Sequence, residues 1–256
     1  MRVAFVSPVG YLRDVQPFSD YHLCLTHKVI HEPRYRNFYA ARSSLGDYII
    51  LDNGAVEKNG HSVPMRDIVT AAILIKPAVI VLPDFLFDGE KTLIELKNAL
   101  RSPALRLLKE NKSTAGTKVA AVVQGIDEKE WFKSFEELNG YEEIDLLCVP
   151  KVTGQTFGAR WKALELIKDK VSKPCHLLGS WWQGTLDDVR REASYSFVQG
   201  IDTPKPIRLT VQGKGLDQWN TLEHDRTFLD RIGQPIDSEL LRRNCESFKE
   251  ICNGKH

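Results

Sequence analysis

The chain has no apolar run approaching the roughly 18 residues of a membrane-spanning helix, and its opening stretch Met1–Pro8 is too short for a signal peptide; a soluble, non-secreted globule is expected. A dominant charge is also missing. The 35 Lys and Arg residues against 34 Asp and Glu leave a formal net charge of +1, so there is no global footprint of nucleic-acid binding and any basic surface must be local. Paired cysteines are absent. The five present (Cys24, Cys148, Cys175, Cys245 and Cys252) are odd in number and scattered. Cys24, Cys148 and Cys175 lie inside apolar runs, where a reduced thiol behaves as a small hydrophobe, so a reducing, cytoplasmic compartment is predicted. No Gly-rich phosphate loop follows any candidate strand, which weighs against a dinucleotide-binding sheet. There is no repeat, low-complexity tract or linker.

What is present suits one large domain over residues 1–256, with a core over 1–210 and a C-terminal helical segment over 211–256. A hydrophobic content of 42% is enough for a full core. Short apolar runs occur at Arg2–Val6, Tyr21–Thr26, Tyr48–Leu51, Val79–Leu82, Val119–Val123, Leu146–Val149, His176–Leu178 and Phe197–Ile201. They are aliphatic nearly throughout rather than alternating, as strands buried on both faces require. Met65–Ile75, Thr92–Lys109, Glu128–Leu138, Ala159–Val171 and Leu186–Ala193 carry apolar residues at three- and four-residue spacing, the pattern of helices covering a sheet. Asp127 and Thr185 read as N-caps with acidic first turns. Ser7–Asp20 is punctuated by proline and glycine and reads as a loop, as does Gln212–Gly215. Trp219–Ile232 reads as helical, and Ser238–Ile251 as an amphipathic helix capped by Asp237. Eight strands, with crossover helices from the third onwards, predict an α/β (β/α)8 barrel; an open doubly wound sheet is the alternative.

One stretch organises the rest, Ser196-Phe-Val-Gln-Gly-Ile-Asp-Thr-Pro-Lys-Pro206. An apolar run delivers one carboxylate, Asp202, and is stopped by Pro204 and Pro206, which cannot donate to a sheet ladder. Other strand ends contribute Asp52-Asn53-Gly54, Asp84, Gln124-Gly125, Lys151 and Gly179-Ser180. In a barrel these ends share one rim. Taken singly, each strand-end aspartate is explained by turn capping. As a set, carboxylates of split acidity can attack an anomeric carbon or move protons. A carboxylate beside a glutamine can read a purine edge, and glycines let a flat base approach the backbone.

This series resembles the tRNA-guanine transglycosylase superfamily, and particularly its phage-type relatives that place 7-deazaguanines in DNA. Leu51-Asp-Asn-Gly-Ala55 is similar to the family's Asp-Ser-Gly-Gly segment, Leu82-Pro-Asp84 to the segment whose aspartate binds guanine, and Val123-Gln-Gly125 to Gln-Gly-Gly. Leu178-Gly179 with the following Leu186-Asp-Asp188 is similar to Met-Gly-Val-Gly and its helix, and Gly200-Ile-Asp-Thr-Pro204 to the segment of the nucleophile. The likeness runs from Tyr48 to Pro206 in short motifs. It implies Asp202 as nucleophile and Asp52 as the acid–base carboxylate. It also implies a base site built from Asn53, Gly54, Glu57, Asp84, Gln124, Gly125, Lys151, Leu178 and Gly179.

The departures are specific. The structural zinc of tRNA-acting relatives needs a Cys-x-Cys-x-x-Cys plus His set, whereas only Cys245 and Cys252 follow Asp202, seven positions apart; no metal and no cofactor are expected. His22, His27 and His31 straddle a strand and a loop and are not read as ligands. Val56 and Glu57 replace the family's stacking aromatic, Ile126 its second glycine, and Leu147-Cys-Val-Pro-Lys151 its Gly-Leu-Ala-Val-Gly-Glu segment.

The implied reaction is base exchange with retention, the two-carboxylate logic of retaining glycosidases with a heterocycle in place of water. DNA is the expected polymer, held by local cations such as Lys205 and Arg208 and by Trp181 and Trp182, and a 7-deazaguanine base is the small-molecule substrate. Accessory modification enzymes are candidate partners, and the cytoplasm, a host's if the gene is a phage's, is the expected location. Within the family pattern, a tRNA-directed exchange and an N-glycoside hydrolase stay open. Outside it stand a barrel lyase forming a Schiff base at Lys151, and a non-catalytic barrel using Arg34, Arg36, Arg42 and the tryptophan pair for phosphate contact and stacking.

Overall fold

The structure, a computed structural model, describes residues 1–56, 60–180, 183–222, 228–230 and 235–254. Eight parallel strands form a single sheet: β1 (Arg2–Phe5), β2 (Tyr21–Leu25), β3 (Tyr48–Asp52), β4 (Val79–Val81), β5 (Lys118–Val122), β6 (Leu146–Pro150), β7 (Cys175–Leu178) and β8 (Val198–Thr203). Their order is β1-β8-β7-β6-β5-β4-β3-β2, so the sheet curls until its two edges, β1 and β2, face one another in a nearly closed (β/α)8 barrel. At that seam no strand ladder forms. The Ser19 hydroxyl bridges it instead, donating to Val3 O at 2.6 Å and accepting from Tyr21 N at 2.9 Å.

Side-chain alternation divides the core in two. Val3, Phe5, Cys24, Ile49, Leu51, Ile80, Val119, Leu147, Val149, Leu177 and Ile201 pack outward against helices. Ala4, Tyr21, Leu23, Leu25, Ile50, Val79, Val81, Ala120, Val122, Leu146 and Cys148 fill the barrel interior. Both faces of nearly every strand are therefore dry, which is why the strands read as unbroken apolar runs.

Helices follow the strands. α1 (Leu12–Val15) is a short piece between 3-10 turns in the first connection, a stretch expected to be a loop. α2 (Thr26–His31) and α3 (Pro33–Ser44) join β2 to β3, where no helix was predicted. The sequence of α3 is polar on most of its surface; Tyr35 and Tyr39 are buried, and Phe38 and Ala40 pack half-buried against the core, with Tyr35 Oη accepting from Leu25 N at 3.1 Å. The Pro33 start was its one legible signal.

α4 (Met65–Ile75) matches its predicted bounds and buries Ile68, Val69, Ala72 and Ile75. The predicted single helix Thr92–Lys109 is two, α5 (Gly89–Leu100) and α6 (Pro103–Glu110). Pro103 disfavours helical geometry at Ser102, whose hydroxyl then caps the new helix by accepting from Leu105 N at 3.1 Å. α7 (Glu128–Gly140) starts at Asp127, whose side chain accepts from Glu130 N. α8 (Thr153–Phe157) and α9 (Arg160–Ile167) follow β6, α9 ending before the predicted Val171. α10 (Leu186–Ala193) has the predicted bounds, and Thr185 and Asp188 form a capping box.

β8 runs two residues past its predicted end, through Asp202 and Thr203, before α11 (Lys205–Val211) begins. The predicted helix Trp219–Ile232 does not form as one element: its described parts are 3-10 turns, Leu216–Thr221 and Phe228–Asp230. α12 (Ser238–Cys252) closes the described chain, capped by Asp237, and places Leu241, Cys245, Phe248 and Cys252 in the core. No helix among the described residues is long and apolar enough to cross a membrane.

Candidate active site

The inward parity of the strands carries a polar set to their carboxyl ends, where α/β barrels build sites. Asp52, Asn53, Asp84, Gln124, Lys151, Leu178, Gly179, Asp202, Lys205 and Arg208 all line one cavity of about 200 Å³. Its apolar wall is made by Val6, Leu23, Leu25 and Val122. A larger cleft, about 630 Å³, opens at the opposite end around Arg2, Ser19 and Asp20. It lies at the amino ends of the strands, away from the clustered carboxylates.

Asp202 is 7% exposed and held asymmetrically. Its Oδ1 accepts from Gly179 N at 2.8 Å and faces His176 Nε2 at 3.2 Å. Its Oδ2 has no hydrogen-bond partner among the described residues, and the side chain borders the cavity. Gly179 can offer its N–H because it takes φ +71°, a region costly for other residues, and a β-carbon there would press on Lys151 Cδ at 3.0 Å. Asp52, half-buried at the end of β3, accepts from Gly54 N at 2.9 Å, while Thr26 Oγ1 donates to its carbonyl at 2.7 Å. Two carboxylates from β3 and β8 thus face one space.

The third carboxylate is the most deeply buried, 2% exposed where it meets the cavity. Asp84 Oδ1 accepts from Asn53 Nδ2 at 2.8 Å and Oδ2 from Gln124 Nε2 at 2.6 Å. Asn53 Nδ2 also donates to Leu82 O at 2.6 Å, and Gln124 Oε1 accepts from Phe87 N at 3.1 Å. Burial pushes the Asp84 carboxyl above the usual carboxylate range, and the donors Gln124 and Asn53 pull partly against it. Asp84 and Gln124 were expected simply to present themselves to a base; each is also fastened to the other. A ligand edge would meet the second Gln124 amide proton and the remaining lone pairs of Asp84.

The basic residues divide differently from expectation. Lys151 lines the cavity. Lys205, expected among the local cations that hold the polymer, is buried with its Nζ 4.0 Å from the centre of the Trp219 ring. Burial foremost, then the charges of Arg208 and Lys151, bring its pKa down to about 7. The reason is local: Pro204 turns the chain directly into α11, so Lys205 starts the helix pointing into the barrel mouth rather than out to solvent. Arg208, one turn on, lies over Phe228 at 5.7 Å. Arg42, another phosphate candidate, pairs with Asp47 at 2.6 Å.

Two glycines do not line the cavity. Gly54, at φ +72°, faces His27, and Gly125 lies against the backbone of Trp131 at the start of α7, where no β-carbon fits. Glu57, Trp181 and Trp182 lie outside the described residues. His22 pairs with Asp47 at 2.7 Å, away from His27 beside Gly54. No group of three or more His, Cys, Asp or Glu side chains among the described residues is arranged to hold a metal ion.

Sequence reasoning missed His176, Tyr21 and Arg160. His176 was read only as the start of a strand; it is fully buried inside the barrel between Tyr21 and Asp202. A polar ring at an inward position of a buried strand must find partners, and that was the available signal. Arg160, at the start of α9, reaches Gly179 O at 2.7 Å from outside the sheet. No protein-family model matches the chain, and no curated protein matches it.

Proposed function

We propose that the protein is a base-exchange transglycosylase that replaces guanine in nucleic acid, DNA in preference to tRNA, with a 7-deazaguanine through a covalent glycosyl–Asp202 intermediate. The single observation that carries this reading is the asymmetry of Asp202. One oxygen is tied down, the other has no hydrogen-bond partner among the described residues, and the side chain borders a small cavity that Asp52 and the Asp84–Gln124 pair also line. The motif series from Tyr48 to Pro206 supplies the choice of base.

In the first half, Asp202 Oδ2 bonds to the anomeric carbon as the carbon–nitrogen bond to guanine breaks. The electron pair leaves with the base, which takes a proton from Asp52. In the second half, the incoming 7-deazaguanine gives a proton to Asp52, its ring nitrogen bonds to the anomeric carbon, and the electron pair of the broken ester returns to Asp202. A target nucleotide in a duplex must first be flipped out. The cavity is smaller than the roughly 300–1,000 Å³ of drug-sized ligand sites, which suits one flat heterocycle. The preference for DNA draws on the chain after Asp202: only Cys245 and Cys252 follow it, seven positions apart, and both are packed in the core on the inner face of α12, unlike the Cys-x-Cys-x-x-Cys set of tRNA-acting relatives.

A second reading draws on Lys205. An amine with a pKa of about 7 in the same cavity suits Schiff-base chemistry, and it replaces Lys151 as the residue to test by borohydride trapping with small carbonyl compounds. One experiment separates the readings. The chain is incubated with labelled guanine or 7-deazaguanine and duplex DNA, single-stranded DNA or bulk tRNA, beside Asp202→Asn. Incorporation into DNA, with a protein–DNA adduct that disappears in Asp202→Asn, is the expected result. Near wild-type exchange by Asp202→Asn overturns the nucleophile, and incorporation into tRNA alone overturns the choice of polymer.

A further inference from the structure

We propose that Tyr21, His176 and Asp202 form a hydrogen-bonded line through the barrel interior that selects Oδ2 of Asp202 as the reacting oxygen, His176 being a positioning residue; this rests on Asp202 being the nucleophile. Tyr21 Oη lies 2.8 Å from His176 Nδ1, and His176 Nε2 lies 3.2 Å from Asp202 Oδ1. Tyr21 and His176 are 1% and 0% exposed.

Proton positions follow from what each group can do. Burial pushes the Tyr21 phenol above its ordinary range, so it keeps its hydrogen, and its partner is His176 Nδ1. A carboxylate oxygen only accepts. A neutral ring between them must therefore carry its proton on Nε2 and leave Nδ1 bare to accept from Tyr21. Of the two neutral tautomers, only this one satisfies both contacts.

The line is rigid at its far end. Tyr21 stacks on Tyr48 with centroids 5.3 Å apart, and the Arg2 guanidinium sits 4.5 Å over the Tyr21 ring. The ring fits because position 200 on β8 is glycine; a β-carbon there would stand 2.5 Å from Tyr21 Cε1. The Gly200-Ile-Asp202 sequence thus makes room for the tyrosine and places the aspartate two residues on, both facing inward.

The Gly179 N–H and the His176 Nε2–H together occupy Oδ1. While Oδ2 is esterified to the sugar, Oδ1 is the ester carbonyl and keeps both donors. When the carbon–Oδ2 bond breaks, charge returns to the carboxylate and the same donors stabilise it as leaving group. The line neither gains nor loses a proton across the cycle. Loss of the His176 donor is therefore expected to slow breakdown of the adduct, with little change in binding of base or polymer.

The test compares wild type with His176→Leu, which removes the donor, His176→Gln, whose amide can reach toward the position of Nε2, and Tyr21→Phe. Adduct formation and breakdown are timed in single turnovers, and ¹⁵N NMR of the wild-type protein reads the His176 tautomer whether or not exchange is seen. Expected are a bare Nδ1, a loss of about 10- to 100-fold in kcat for His176→Leu at a nearly unchanged KM, accumulation of adduct, and substantial recovery in His176→Gln. If His176→Leu does not fold, Tyr21→Phe carries the kinetic arm, with a smaller loss in the same step. Wild-type rates in these variants, or a proton on Nδ1, overturn the inference. Absence of any adduct in wild type overturns the nucleophile instead, leaving the tautomer to be judged by its own signal.

Discussion

Arg160 Nη1 donates to the carbonyl oxygen of Gly179 at 2.7 Å, while the N–H of the same glycine holds Asp202 at 2.8 Å. The outer helical layer is thereby linked to the cavity through one residue. Arg160 is fixed in turn by Glu192, through Nε to Oε1 at 3.0 Å and Nη2 to Oε2 at 2.8 Å, and both side chains are buried.

Arg160→Met leaves Glu192 buried without its partner, and the expected loss of stability is about 3–5 kcal/mol. Arg160→Met combined with Glu192→Met should recover much of this, because two apolar side chains replace a buried pair at little net cost. Urea denaturation of the four proteins of the cycle measures both values. A double variant no more stable than Arg160→Met alone would mean that the contact to Gly179 O, rather than the ion pair, is the stabilising element.

The pH dependence of stability carries a signature of Lys205. Its folded-state pKa of about 7 lies below the ordinary amine value of 10.5. Between these two values the unfolded chain binds the proton and the folded chain does not, so this group makes stability rise with pH across that window. Below about pH 7 the charge is buried in the folded state at a cost on the order of a few kcal/mol. Lys205→Met removes the titration. The difference in stability, variant minus wild type, is expected to be more favourable to the variant at pH 6 than at pH 10, as measured by chemical denaturation. An equal difference at the two values would refute a lowered pKa.

Asp84 has the opposite sign. Its carboxyl lies above the ordinary carboxylate value, so the folded chain holds a proton that the unfolded chain has released, and this group's contribution to stability falls as pH rises through that window. A guanine edge donates hydrogen bonds and needs the carboxylate. Guanine affinity should therefore drop in acid as Asp84 protonates. Asp84→Asn should abolish that acid-side dependence and weaken binding about 10- to 100-fold, since its amide nitrogen would face a donor from Asn53 or Gln124. Calorimetric titration with guanine across pH decides it; unchanged affinity in Asp84→Asn would remove this residue from the base site.

Much of the architecture is local information. The eight apolar runs, the bounds of α4 and α10, and the caps at Asp127, Thr185 and Asp237 follow from periodicity and from side chains that bond backbone a few residues away. The break at Pro103 and the helix opening at Pro33 were equally local but masked, the first by a continuous apolar stripe and the second by a polar helix surface. That carboxylates stand at strand ends was also legible, because prolines and glycines mark where the strands stop.

Which of those groups meet was decided only by closure of the sheet. Tyr21 and His176 are 155 residues apart, and they touch because β2 and β7 both turn their inward faces to one barrel axis. The register shift between β7 and β8 at Cys175/His176 sets His176 opposite Gly200, which leaves space for the tyrosine. Likewise the sequence shows that Asp84, Asn53 and Gln124 end neighbouring strands, whereas their mutual bonding depends on strand stagger. A chain's local pattern determines which faces are apolar and where elements end. The partners of an inward polar side chain depend on shear and closure across the whole barrel, which no stretch of sequence contains by itself.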